Sequence, residues 1–135
     1  GRHFPVTSVV AANETLDVAF LKIDATDLKP VTIGDSSSVS IGDPTLVIGH
    51  PESFINTLSL GNVAGFRTYG ELGSEPQIQI TNPISSGNSG GVVLNRFGEV
   101  IGIPTWFVEY EQNIVQVQNL NFALPINEAL GLFAR

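Results

Sequence analysis

The sequence predicts an all-β chain folded as a barrel or sandwich, and three observations carry that reading. Its 14 glycines and 8 prolines are spread evenly over 135 residues and punctuate short apolar runs. Several of those runs alternate apolar and polar residues with a period of two, as a strand with one buried face does. Only one stretch, near the C-terminal end, repeats at helical spacing. Many short strands with turn signals at regular intervals belong to closed or doubly layered β architectures.

In chain order, Val6–Ala12 is rich in β-branched residues. Val18–Ile23 alternates, with Val18, Phe20 and Lys22 on one face and Ala19, Leu21 and Ile23 on the other. Asp24–Lys29 and Gly34–Asp43 read as turns. Thr45–Ile48 is a short buried strand that stops at Gly49. Thr57–Arg67 and Pro76–Thr81 are strands joined by the loop Thr68–Glu75; the second alternates through Gln77, Ile78, Gln79 and Ile80. Val92–Leu94 and Val100–Val108 flank the turn Asn95–Gly98 as a hairpin. Val115–Leu124 is the last strand. Ile126–Phe133 is the one helical candidate, with Ile126, Leu130 and Phe133 on one side. Gly131 weakens it by about 1 kcal/mol relative to Ala.

A chain of this length fits one domain and buries roughly two-thirds of its unfolded surface. Charged residues make up 14% and hydrophobic ones 42%. No apolar run approaches the roughly 18 residues that span a bilayer as a helix, and Gly1–Ala12 lacks a signal-peptide pattern. Thirteen acids against six bases give a net charge of −7. The bases (Arg2, Lys22, Lys29, Arg67, Arg96 and Arg135) form no stripe, so nucleic acid is not an expected partner. Without cysteine there is no disulfide framework and no thiolate site. Two histidines, no HExxH and no spaced carboxylate loop give no reason to expect a metal or other cofactor.

The most informative stretch is Gly87-Asn88-Ser89-Gly90-Gly91. It reads either as a flexible Gly/Ser turn or as a nucleophile held on a tight turn. In the second case the Gly87 and Ser89 N–H groups can stabilise an oxyanion during acyl transfer. The stretch also satisfies G-x-S-x-G, but a nucleophile elbow needs a strand before it, a helix after it and a later histidine. Asn82–Ser86 is not strand-like, Gly91–Leu94 is not helix-forming, and the last histidine is His50. Asp17 is the second candidate. Alone it reads as a strand-edge acid facing water; paired with Ser89 it reads as the acid that orients an imidazole in a Ser-His-Asp triad.

Taken together, several segments resemble the HtrA/Deg family of trypsin-fold serine proteases. Leu16 through Asp24 resembles its T-D-L-A-V-L-K-I-D. Leu28 through Ser37, followed by Ile41-Gly42-Asp43-Pro44, resembles the approach from one barrel to the other. Gly49-His50-Pro51 stands at G-N-P, and Gln79 through Gly91 resembles I-Q-T-D-A-A-I-N-P-G-N-S-G-G. Gly98 through Ile103 and Asn121 through Asn127 match G-E-V-I-G-I and G-F-A-I-P-I-N. The resemblance implies a trypsin-like double β-barrel with a short C-terminal helix. Residues 1–50 would be the end of a partial first barrel and 51–135 a complete second one. It implies a serine endopeptidase with Ser89 as nucleophile, Asp17 as orienting acid and an oxyanion hole at Gly87 and Ser89. Thr105, Trp106 and Phe107 would lie on the strand that pairs with substrate backbone, although Trp106 also reads as a core aromatic. Pro83, Ile84, Asn121, Phe122 and Ala123 would line a pocket for small or medium apolar side chains. No metal or cofactor is implied.

The chain departs from the expected pattern in four places. Ser85-Ser86 replaces N-P, and Thr81-Asn82-Pro83 replaces D-A-A. Asn88 stands where digestive enzymes of this fold carry the Asp that binds a freed N-terminus. The largest departure is the base, without which a serine hydroxyl is a weak nucleophile. In this family it precedes the Asp. His3 falls on a variable strand position and His50 follows Asp17 in a Gly-Pro turn. The resemblance therefore places the base on the order of a dozen or more residues before Gly1, in a T-N-x-H-V-type segment. The alternative is an inactive protease-like module that binds peptides. The implied partner is polypeptide, in particular unfolded protein. The implied setting is extracytoplasmic, in a bacterial periplasm or cell envelope, with trimers, a flanking PDZ domain and pairing to an upstream segment. Strands such as Val6–Ala12 and Val18–Ile23 should then show an apolar face.

Overall fold

The computed structural model describes residues 2–51, 54, 56–68, 76–107 and 120–133. Its N-terminal part is an antiparallel ribbon of β1 (Val6–Asn13) and β2 (Val18–Ile23). The turn between them is closed by Asn13, whose Oδ1 accepts from the Leu16 N–H at 3.0 Å. Asp17 was expected to open the second strand. It instead ends the turn, with φ at 51° and its N–H bonded to the Glu14 carbonyl at 3.2 Å. Asp tolerates this left-handed region better than most side chains.

The ribbon's two faces differ as the alternation predicts. Val18 and Phe20 pack toward Leu16, Leu124 and Ala129. On the other face, Val9 pairs in register with Leu21, and the two are 61% and 53% exposed. The apolar face expected from the sequence is therefore visible. The ribbon remains a two-stranded sheet and not a sealed barrel.

After the two-residue strand β3 (Thr32–Ile33), the chain builds a closed ring. Its members are β4 (Pro44–Gly49), β5 (Thr57–Arg67), β6 (Gln77–Ile80), β7 (Val92–Leu94), β8 (Glu99–Phe107) and β9 (Asn121–Pro125). Around the ring the order is β4-β5-β6-β9-β8-β7, and β7 returns to β4, so six antiparallel pairings close it. β4 supplies this ring with a strand from the residues that the sequence reading assigned to a first barrel. β3 lies outside the ring, parallel to the start of β8. At two residues it is too short to show a period, which is why the sequence read it as connection.

The barrel interior is filled by Val47, Val63, Ile78, Ile80, Val93, Ile101 and Ala123. Alternation explains the choice: Val47 faces in while Leu46 and Ile48 pack outside with Leu94, Val100 and Ile126. The helix α1 (Ile126–Leu130) covers that outer cluster. The expected helix Ile126–Phe133 divides, continuing beyond Leu130 as a 3-10 turn, Gly131–Phe133. Ile126 and Leu130 join the outer cluster, while Phe133 meets Phe20 of the ribbon with ring centroids 4.7 Å apart. Of the expected strand Val115–Leu124, residues 115–119 lie outside the described residues.

A second contact ties α1 to the middle of the chain. Asp35 caps the 3-10 turn Ser36–Ser38 by accepting from the Ser37 N–H at 2.9 Å and the Ser37 hydroxyl at 2.6 Å. It also accepts from Asn127 Nδ2 at 2.7 Å. The Ser37 hydroxyl, then the Asn127 amide and the Ser37 N–H hold this carboxyl below its ordinary range.

Candidate active site

β6 and β7 lie on opposite sides of the ring, three steps apart by either path. The segment that joins them, Thr81 to Gly91, therefore spans one end of the barrel. Its first anchor is Asn82, which is fully buried. Its last is Asn88, also buried, which sits against Gly49. A side chain at Gly49 would come within 3.0 Å of the Asn88 Cα, so the end of β4 requires glycine there.

Between those anchors the backbone turns tightly. The Asn88 N–H donates to the Ser85 carbonyl at 3.1 Å, and the Gly91 N–H donates to the Asn88 carbonyl at 3.0 Å. Gly87 and Gly90 have φ of 98° and 79°, which costs a side-chain-bearing residue about 1–2 kcal/mol. These glycines flank an exposed Ser89. Ser89 Oγ donates to the Thr105 carbonyl on β8 at 3.2 Å, and Gly90 N–H donates to the neighbouring Pro104 carbonyl at 3.2 Å. The Gly87 carbonyl accepts from the His50 N–H at 3.3 Å. Among the described residues, neither the Gly87 nor the Ser89 N–H donates a hydrogen bond.

The structure thus brings Gly87, Ser89 and Thr105 into one place. Thr105 has a buried Oγ1 with no hydrogen-bond partner among the described residues. The register sets Trp106 opposite Phe122 and Phe107 opposite Asn121. The side chains of Trp106 and Phe107 lie outside the described residues. Asn121, Phe122 and Ala123 are all buried. Ala123 belongs to the barrel core, with Ile84 packed against it, and Pro83 is exposed. Asn121 Nδ2 donates to the Asn82 carbonyl at 2.7 Å.

Among the described residues Asp17 makes no hydrogen bond to this cluster. It is exposed at the ribbon turn, and its carboxylate accepts no hydrogen bond among the described residues. Nor is a histidine bonded to Ser89. His3 is exposed, and His50 uses Nδ1 to accept from the Asn56 N–H at 2.9 Å, within its own turn. No group of three His, Cys, Asp or Glu residues among the described ones is placed to hold a metal ion. The sequence reading noted Asn82 only as a departure. A signal was present: a polar amide between Ile80 and Ile84, in a segment otherwise leaving the core.

Comparison with known proteins agrees with this geometry. Residues 1–103 match the trypsin-like peptidase domain family. A Do-like HtrA serine protease of Lactococcus lactis subsp. cremoris is 35% identical over 136 residues, covering 93% of this chain and 33% of the relative. An HtrA-like serine protease of Staphylococcus epidermidis is 32% identical over 133 residues, covering 89% of this chain and 22% of the relative. The chain therefore spans a third or less of these relatives' lengths. Among solved structures, the HtrA-type protease AlgW with a decapeptide superposes with a TM-score of 0.82 at 32% identity, over 94% of this chain and 39% of that one. AlgW S227A with a tripeptide gives a TM-score of 0.82 at 31% identity, over 93% and 42%. The six-stranded ring, the serine turn at its end and these matches together show that the chain belongs to the trypsin-like peptidase family, of the HtrA serine protease type.

Proposed function

We propose that the protein containing this chain is a serine endopeptidase in which Ser89 is the nucleophile. The observation that carries the reading is the Ser89 turn: an exposed hydroxyl between two left-handed glycines, with the Gly87 and Ser89 N–H groups uncommitted. In the reaction, Ser89 Oγ adds to the substrate carbonyl carbon while a histidine takes its proton. The two N–H groups receive the oxyanion. The intermediate collapses to an acyl-enzyme, the amine leaves with that proton, and water repeats the sequence in reverse.

Asp17 orients the imidazole. The exposed Asp17, the outward-facing ribbon and the absence of a histidine beside Ser89 support a base carried by a segment upstream of Gly1. The polypeptide substrate lies along Thr105–Phe107 as an added strand, with its side chain toward Pro83, Ile84 and Asn121–Ala123. Peptides accompany the structurally similar AlgW. Family resemblance supports unfolded protein as substrate and a bacterial envelope setting.

A fluorophosphonate probe tests the assignment. The full-length protein should be labelled at Ser89, and Ser89→Ala should abolish both labelling and peptide cleavage. The 135-residue chain alone should label slowly or not at all. Full cleavage by the Ser89→Ala protein sinks the assignment. An unlabelled full-length protein that still binds peptide would make it a binding module instead.

A further inference from the structure

We propose that Asn82 is the positioning residue of the nucleophile loop, fixing the span from Pro83 to Asn88 so that the Gly87 and Ser89 amides hold their places during acyl transfer. This rests on the reading of Ser89 as nucleophile. Asn82 is fully buried, and its polar groups reach three different strands. Its Oδ1 accepts from the Thr45 hydroxyl on β4. Its Nδ2 donates to the Thr45 carbonyl at 3.2 Å and to the Ser59 carbonyl on β5 at 2.9 Å. Its own carbonyl accepts from Asn121 Nδ2 on β9 at 2.7 Å. Both amide protons and the amide oxygen are therefore used, as a carboxamide at such depth requires.

β5 makes room for this side chain. A Cβ on Gly61 would sit 2.6 Å from both the Asn82 N and its Oδ1, so the strand carries glycine where the amide docks. Beyond Asn82 the loop has sparse attachments before Gly87. Ser59 Oγ donates to the Pro83 carbonyl at 3.3 Å, and His50 N–H to the Gly87 carbonyl at 3.3 Å. Thr81 also bonds Asn62 of β5 at the loop's entry, its N–H donating to the Asn62 carbonyl at 3.0 Å, but Asn82 is the residue there whose polar groups tie the loop to β4, β5 and β9 at once.

Asn82 acts through the loop. An aspartate would face two carbonyl oxygens, and an apolar side chain would take the Asn82 partner away from the buried Thr45 hydroxyl and from the Thr45 and Ser59 carbonyls. Loosening this anchor displaces the oxyanion donors. Those donors bond more strongly to the transition state than to bound substrate, so the loss falls on kcat.

The test uses the full-length protein with Asn82→Ala and, separately, Thr45→Val, which removes only the hydroxyl. The readouts are kcat and KM on a fluorogenic peptide and inhibition by a peptide boronate, which forms a tetrahedral adduct on the serine. Asn82→Ala should lower kcat and weaken boronate inhibition by about 10–100-fold, with KM unchanged within about twofold. Thr45→Val should move both severalfold in the same direction. If the folded variants lose only melting temperature and keep kcat and boronate affinity, or if KM alone rises, the proposal is wrong. Should Asn82→Ala not fold, Thr45→Val decides on the same terms. Failure of the underlying reading looks different: the unsubstituted protein would then resist both fluorophosphonate and boronate.

Discussion

Ser89 and Asp17 carry the two sharpest expectations at the scale of single residues. Ser89→Ala removes a small exposed hydroxyl with one hydrogen bond to a carbonyl. It should abolish turnover of the full-length protein while shifting its thermal midpoint little, read by calorimetry beside an activity assay. Asp17→Asn should leave the fold intact, since the carboxylate has no partner among the described residues, yet lower turnover by orders of magnitude, about 10⁴ where the imidazole tautomer is lost. Normal turnover by Asp17→Asn would remove Asp17 from the mechanism.

Asp35 gives a pH prediction. Its carboxyl is held below the usual range in the folded chain by Ser37, then Asn127. A group whose folded value is depressed contributes stability that is complete above its unfolded value, about 3.9, and is lost as pH falls through the lower folded value. Asp35→Asn should flatten the acid limb of stability below about pH 4. An unchanged acid limb in denaturant titrations would count against that linkage. The Ser89 turn was legible in sequence because two glycines and a serine leave few conformations. The Asp35–Asn127 bond was not, because the partners stand 92 residues apart and nothing local marks the pairing.

Elements read well where periodicity had room to show. Val18–Ile23, Thr57–Arg67 and Val92–Leu94 form strands with the expected ends. β3 escaped because two residues carry no period, and the 3-10 turn at Ser36–Ser38 because its cap acts within a run of turn formers. The C-terminal helix was legible in position but not in geometry. Gly131 adopts right-handed helical angles, φ −56° and ψ −21°, and a Cβ there meets nothing within 4 Å. Gly131→Ala should therefore stabilise the chain by about 0.4–1 kcal/mol through the unfolded state. A lower thermal midpoint for this variant would show that the glycine serves the 3-10 turn itself.

For the molecule as a whole, resemblance supplied the barrel that alternation alone left open between barrel and sandwich. Ring closure depends on which distant strands pair, as Val47 with Val93 or Ile78 with Ala123. Local pattern cannot state such pairings. The low charge fraction also acquires a location: Val6, Val9, Val10 and Leu21 lie exposed along the ribbon. The isolated chain should bind a hydrophobic dye at this face, and Val9→Thr with Leu21→Thr should reduce the signal. Equal dye binding by that double variant would place the sticky surface elsewhere.

The serine loop joins strands on opposite sides of the ring, and this has a consequence in time. Neither neighbour of β6 is a neighbour of β7, so the loop's two ends acquire fixed positions only when three successive pairings along one side of the ring have formed. Pairings of such long sequence separation form late, whereas the β1–β2 hairpin is local and forms early. Under the proposed function, a chain still assembling, or newly made and partly open, would therefore carry its serine without a formed oxyanion site. In a refolding experiment, probe labelling of Ser89 in the full-length protein should follow the slowest phase, after strand content has already recovered. Labelling in step with early strand formation would refute it. If Ser89 acts as proposed, the site would stay unformed until the strands that carry its loop have paired.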